Sequence, residues 1–258
     1  MSPWWREEIS ARLAPGVVAL RRLSRGPRRR ELSRQTLDVV SSSDASEWRP
    51  MVEALRAHLA QRNWRNADLF ITLCGNLVRY HVLPWVDNLN DRDALVYAQQ
   101  SFVAIYGAAA ENWAICLNEP ARGLPRVAVA SERGLIEELR TQALSFDLKL
   151  RSVQPVLCAA VQALARVDNR LTGWLAVVEA RHSRVARFSG GECVAVRVAR
   201  FADAPGQHLL AQLEQDALCT DLETASRKLY VHTAVPVDSS PLRDHGWLVL
   251  PLATESIA

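Results

Sequence analysis

One three-strand pattern occurs twice in this chain, and it limits the folds open to it more than any other feature. The clearer copy is Gly173-Trp-Leu-Ala-Val-Val-Glu-Ala, a short turn at His182-Ser, then Arg184-Val-Ala-Arg-Phe-Ser-Gly-Gly-Glu and Cys193-Val-Ala-Val-Arg-Val-Ala-Arg-Phe. A helical stretch follows, from about Pro205 to Thr220. The fainter copy runs Gly16-Val-Val-Ala-Leu, a basic hairpin to Arg30, Leu32 to Val40, and a helical stretch from Glu47 to Asn63. Each copy is a strand meander closed by a helix. Strands alternating with helices predict an α/β protein.

The length, 258 residues, is enough for two lobes with cores of their own. A hydrophobic fraction of 49% with 23% charged residues is a soluble, globular composition. No stretch approaches the roughly 20 apolar residues that span a bilayer. The start, Met1-Ser-Pro-Trp-Trp-Arg-Glu-Glu, lacks the apolar centre of a signal peptide. The expectation is a cytoplasmic chain with no membrane span of its own. A net charge of +3, with 28 acids spread along the sequence, argues against a nucleic-acid binder. The five cysteines are widely spaced, and the six histidines form neither i,i+4 pairs nor metal-ligand clusters. Free thiols, no metal and no cofactor are therefore expected. There is no P-loop, no G-x-G-x-x-G and no G-x-S-x-G.

Between the two copies, Asp68 to Leu73 and Leu77 to Leu83 read as strands, the second ended by Pro84. Asn90 reads as a helix N-cap with Asp91 and Asp93 in the first turn, followed by Leu95, Ala98, Phe102 and Ile105 at helical spacing. Strands at 112–117 and 126–130, a helix capped by Ser131, a strand at 148–153 and a helix opened by Gln154-Pro155 complete the middle. Trp113 is expected in a core. Trp85 stands either in the core or at an interface, and Trp4 and Trp5 either pack on the body or anchor a partner.

From Asp68 to Ala165 this succession resembles the middle of the PilM-type pilus-assembly proteins. It is similar also to the actin-like cytoplasmic part of the type II secretion protein GspL and to the MshI proteins. The quoted features are the Leu83-Pro84 strand end, the acid-capped helix, Tyr106-Gly107, the strand with Trp113 and the Gln154-Pro155 helix start. The resemblance implies an actin-like (ribonuclease H-like) two-lobed fold with duplicated strand-strand-strand-helix halves. It would divide into a first lobe (1–66), its continuation with an inserted subdomain (67–166) and a second lobe (167–258).

Nucleotide-binding members of that family open each half with an Asp-x-Gly turn that cradles phosphate and helps hold Mg²⁺. Here the second half has Glu179-Ala-Arg-His-Ser, with Arg181 in the place of Gly. The first half is read as Val18-Ala-Leu-Arg-Arg-Leu, with neither Asp nor Gly. The family's late Gly-Gly turn against adenosine is replaced by Thr233-Ala234-Val-Pro. A degenerate nucleotide site near Glu179, Arg181 and Ala234 is therefore expected. Glu179 itself is either a surviving Mg²⁺ ligand or a strand-end carboxylate facing solvent. Glu214 and Asp216 are expected to be solvated helix charges.

The resemblance further implies a non-catalytic cytoplasmic scaffold of a type IV pilus or type II secretion-like platform, peripheral to the inner membrane. The alternative is a divergent actin-like ATPase with an altered nucleotide site. The implied partner is a PilN-like or GspM-like single-span inner-membrane protein, with an assembly ATPase as a further partner. Its cytoplasmic tail would dock between the first lobe and the insert, at Leu83, Pro84, Trp85, Leu95 and Phe102. The hairpin arginines Arg28, Arg29 and Arg30 are candidates for contact with anionic lipid or an acidic partner; a solvated hairpin is the plain alternative.

Overall fold

The computed structural model describes residues 7–24, 30–40, 47–62, 64, 67–218 and 227–253. Its first strand is one the sequence reading passed over. β1 (Glu8–Ala14) alternates buried Ile9, Ala11 and Leu13 with Glu8, Ser10 and Arg12. β2 (Val17–Ser24) and β3 (Arg30–Asp38) extend it as an antiparallel meander. The helix α1 (Arg49–Leu59) then lays Met51, Val52, Leu55 and Leu59 on the sheet core. β4 (Asp68–Leu73) returns parallel to β1, with Ile9 opposite Leu69 and Leu13 opposite Leu73.

An excursion follows before the sheet resumes. β5 (Arg79–Leu83), α2 (Asp91–Tyr106), β6 (Trp113–Leu117) and β7 (Arg126–Glu132) build a small antiparallel sheet of order β5-β7-β6. Asn90 caps α2 as its residue type suggests, its side-chain oxygen accepting from Asp93 N at 2.9 Å. Gly107, at φ 74°, ends the helix in a conformation that costs glycine little. The inner face of α2 seals Phe102 and Ala98 against Leu83, Ala128 and Ala130. Ser131 caps nothing: it lies in β7, and its hydroxyl donates to Leu77 O at 2.9 Å. The helix α3 (Arg133–Ser145) leads back to β8 (Lys149–Pro155), parallel to β4, completing a sheet of order β3-β2-β1-β4-β8.

α4 (Val156–Val167) crosses into the second half. There β9 (Gly173–Glu179), β10 (His182–Ser189), β11 (Glu192–Arg200), α5 (Pro205–Leu218), β12 (Lys228–Thr233), α6 (Ser240–Asp244) and β13 (Leu248–Pro251) repeat the plan. The order β11-β10-β9-β12-β13 matches that of the first sheet position by position. One face of this sheet packs on α4 through Leu157, Ala160 and Leu164, the other on α5 and α6 through Leu209, Leu213 and Leu242. β9 is accordingly buried along its whole length, as a strand covered on both faces must be.

Candidate functional site

The carboxyl ends of β1, β4, β9 and β12 meet across a cleft between the two sheets, the place where open α/β sheets hold ligands. The cavity there measures about 480 Å³. Its walls come from the two duplicated turns, Ala14, Pro15 and Val17 after β1 and Glu179-Ala180-Arg181-His182 after β9, together with Cys74 to Asn76 after β4 and Ala234-Val235 after β12. This corrects the sequence reading of the first half. The turn equivalent to Glu179-Ala-Arg is Ala14-Pro15-Gly16, not the stretch from Val18. Its glycine survives, at φ 75°, and only the acid is missing. The error follows from losing β1, whose Arg12 and Glu8 interrupt an otherwise apolar run.

Glu179 neither faces solvent nor points into an open coordination site. It is 9% exposed. Its Oε1 accepts from Arg12 Nη2 at 3.3 Å, and its Oε2 accepts from Gly75 N at 3.1 Å and from Arg184 Nη1. Arg184 is 1% exposed, and its guanidinium lies over Gly75, where an added Cβ would stand 1.3 Å from Arg184 Cζ. Arg12 Nε also donates to Cys74 Sγ at 3.1 Å. Burial pushes the Glu179 carboxyl up, but Arg184, Cys74, Arg12 and the Gly75 N–H outweigh it and hold it below the usual carboxylate range. Burial, with the nearby Glu179 charge, pushes the Cys74 thiol up to about 12.

These residues do not fit a magnesium–nucleotide pair. The carboxylate that would face the metal is already neutralised by two guanidiniums, which put positive charge where a cation would sit. Arg181 is exposed at the cleft mouth, and Ala234 and Val235 give an apolar wall at the adenosine position. Among the described residues, no group of three or more His, Cys, Asp or Glu side chains is placed to hold a metal ion.

A second cavity, about 410 Å³, opens where the small sheet, the end of β8 with α4, and β11 converge. Val127 and Val129 line it from β7, Cys116 from β6, Pro155 and Leu157 from the β8–α4 junction, and Val196 from β11. Tyr80 also lines it; its hydroxyl is buried and, among the described residues, has no hydrogen-bond partner. Burial, first of all, drives that hydroxyl's pKa well above its ordinary value.

The five residues expected to form a partner groove do not share one surface. Leu83 and Phe102 are sealed in the core of the insert. Pro84 is exposed, and Trp85 is half-buried with its Nε1 donating to Asp87 Oδ1 at 3.1 Å. Leu95 faces outward on α2 with Val96 and Ile105. Trp113 packs partly buried against Phe102 and Tyr106. Arg30 is exposed where β3 begins, and its backbone N–H donates to Ser24 Oγ at 3.2 Å. Arg28, Arg29, Trp4 and Trp5 lie outside the described residues.

Of the two helix charges expected in water, Asp216 is buried and Glu214 stays partly exposed. Asp216 is 2% exposed, accepting from Trp174 Nε1 at 3.0 Å and pairing with Arg197 Nε at 2.5 Å and Arg187 Nε at 3.4 Å. Glu214 pairs with Arg227 and accepts from Trp247 Nε1 at 2.9 Å. The residues that sequence reasoning missed are Arg12, Gly75, Arg184 and Tyr80. Alternation marks Arg12 and Tyr80 as facing one side of a strand, but nothing local says that the side is a cleft.

The geometry defines an actin-like protein: two sheets of identical order, an insert before the last strand of the first, and a cleft between paired turns. Solved structures agree. The chain is similar to a Bacteroides thetaiotaomicron protein with an actin-like ATPase fold, at 10% identity and TM-score 0.63 over 98% of this chain and 94% of the other. It is also similar to the cytoplasmic domain of EpsL, an inner-membrane component of the type II secretion system of Vibrio cholerae. That match has 14% identity and TM-score 0.60, covering 96% and 90% of the two chains. A third likeness is to the PilM–PilN type IV pilus biogenesis complex, at 12% identity and TM-score 0.62, covering 95% and 88%. No family model and no curated protein sequence matches the chain. Among the described residues no helix is long and apolar enough to cross a membrane.

Proposed function

We propose that this chain is a non-catalytic scaffold of a type IV pilus or type II secretion-like assembly platform. Its partner is the cytoplasmic tail of a single-span inner-membrane protein, held in the groove between the insert, the β8–α4 junction and β11. The reading is supported by the likeness of the whole chain to the EpsL cytoplasmic domain and to PilM in its complex with PilN. The observation that carries the site is the Tyr80 hydroxyl, buried and unpaired in an apolar groove. A buried donor left unsatisfied costs about 1–3 kcal/mol, and a peptide carbonyl or carboxylate laid in the groove would recover that cost. The groove replaces the surface first expected around Leu83 and Phe102, since those side chains are committed to the core.

The test is calorimetry with a synthetic peptide copying the cytoplasmic tail of a PilN-like single-span inner-membrane protein from the same organism. Wild type should bind it. Tyr80→Phe should weaken binding by up to about tenfold, a change of roughly 1.4 kcal/mol. Cys116→Trp should fill the groove and abolish binding while leaving the fold intact, because Cys116 is exposed. Binding that both variants leave unchanged removes the groove. A magnesium–ATP dissociation constant tighter than about 100 μM, roughly −5.5 kcal/mol, would return the ATPase reading.

A further inference from the structure

The donors around Glu179 come from both halves of the chain. Arg12 belongs to β1 and Gly75 to the turn after β4, while Arg184 reaches in from β10. Each is held in place by something other than the carboxylate it contacts. Arg12 is also bonded to Cys74, Gly75 opens the 75–77 turn with its carbonyl accepting from Val78 N, and Arg184 lies in the space left by the missing Gly75 side chain. The Arg184 Nε is buried and, among the described residues, has no hydrogen-bond partner. Two guanidiniums and a backbone N–H thus converge on a single carboxylate, with positive charge in excess. Paired guanidiniums and an inward-facing N–H are the donor set that recognises carboxylate and phosphate groups.

We infer that the interlobe cleft is an oxyanion seat whose occupant is built into the chain: the Glu179 carboxylate clamps the two lobes together, and a small free oxyanion takes the seat when that side chain is removed. Lobe closure is then a fixed property of the chain rather than a response to ligand. Opening the cleft would break the two contacts that cross it, Arg12 to Glu179 and the Gly75 N–H to Glu179, while Arg184 stays with Glu179 on the second half. This inference stands apart from the tail-binding groove, which shares no residue with the seat, and either can fail without the other.

Glu179→Ala should lower the melting temperature by about 5–10 °C. Sodium formate, sodium acetate and inorganic phosphate should restore at least half of that loss, where sodium chloride of equal ionic strength does not. Comparing the first two with phosphate shows which oxyanion class fits the emptied seat. Wild type, with its seat taken, should show no such anion-specific gain. The inference is overturned if the variant melts as wild type does. It also fails if the three anions act no better than chloride, or if they stabilise wild type equally. Should Glu179→Ala not fold, Glu179→Gln keeps the shape and loses the charge. Amide exchange in the 75–77 turn and the 180–182 turn should then be faster than in wild type, and unchanged protection overturns the clamp.

Discussion

A carboxylate at the end of the first strand of a half is compatible with a metal site or with open water, and the local sequence leaves both readings in place. What decides for Glu179 is a pair of arginines, one of them 167 residues away in sequence. Asp216 was misread for the same reason, since Arg197, Arg187 and Trp174 reach it from β9, β10 and β11, not from its own helix. Residue identity was legible at such positions, but the partner, which fixes the charge and the burial, was not. Gly75 is the sharpest case, because nothing around Cys74-Gly-Asn marks it as special. Only the guanidinium lying 1.3 Å from its absent Cβ does so. Gly75→Ala should therefore displace Arg184 and break the ion cluster, costing about 3–5 kcal/mol of stability. Gly123→Ala, at an open turn with nothing within 4 Å, should cost only its backbone strain of about 1 kcal/mol. Urea unfolding of the two variants measures the difference; equal losses would mean that the Arg184 placement is not structural.

Elements with a strong period and a local stop were read correctly from sequence. α2 begins at its Asn cap and ends at a glycine, and β4 and β7 follow apolar runs bounded by polar residues. β1 was lost because its pattern carries two charged residues that the fold buries, Glu8 at 7% and Arg12 at 9% exposed. With it went the register of the first turn. On α2 the apolar residues were read as one face, but a helix turns about 100° per residue. The buried line is Ala94, Ala98 and Phe102, which leaves Leu95 and Ile105 outward. The two sides should respond differently. Phe102→Ala should cost about 3–5 kcal/mol through a cavity beneath the small sheet, whereas Leu95→Ala should stay within about 0.5 kcal/mol of wild type. Paired denaturation curves check this; a large loss at Leu95 would mean that the outer face of α2 is covered.

At the scale of the molecule, the duplication was legible because each half repeats the same strand, hairpin, strand and helix in the same order. Two sheets of identical strand order follow from it. The resemblance placed Glu179, Arg181 and Ala234 at one site, and all three line the cleft; the arginines that fill it were not legible, since they meet Glu179 only once both lobes are built. The burial of several titratable groups gives the fold a definite pH dependence. Burial is the leading cause holding His58, His81, His182 and His232 below the ordinary imidazole value. Arg184 and Arg200 add to it at His182, while the Leu252 carbonyl partly opposes it at His232. A histidine whose folded pKa is depressed takes up its proton more readily when the chain is unfolded. Its contribution is therefore complete above about pH 6.5 and is lost as pH falls from there toward the folded value. Glu179 acts in the same direction lower down. Its carboxyl is held below the usual range, so its contribution is complete above about pH 4.3 and is lost as pH falls through the folded value. Urea midpoints measured from about pH 8 down to about pH 3 should be flat at first. They should decline between about pH 6.5 and 5 and decline again below about pH 4.5, with the slope m unchanged in the first interval. Histidine protonation would then be opposed by the fold, because these partly buried rings lose some of the water a charged imidazole requires. A midpoint that rises between about pH 7 and 5.5 would instead mean that the rings gain a carboxylate partner on protonation.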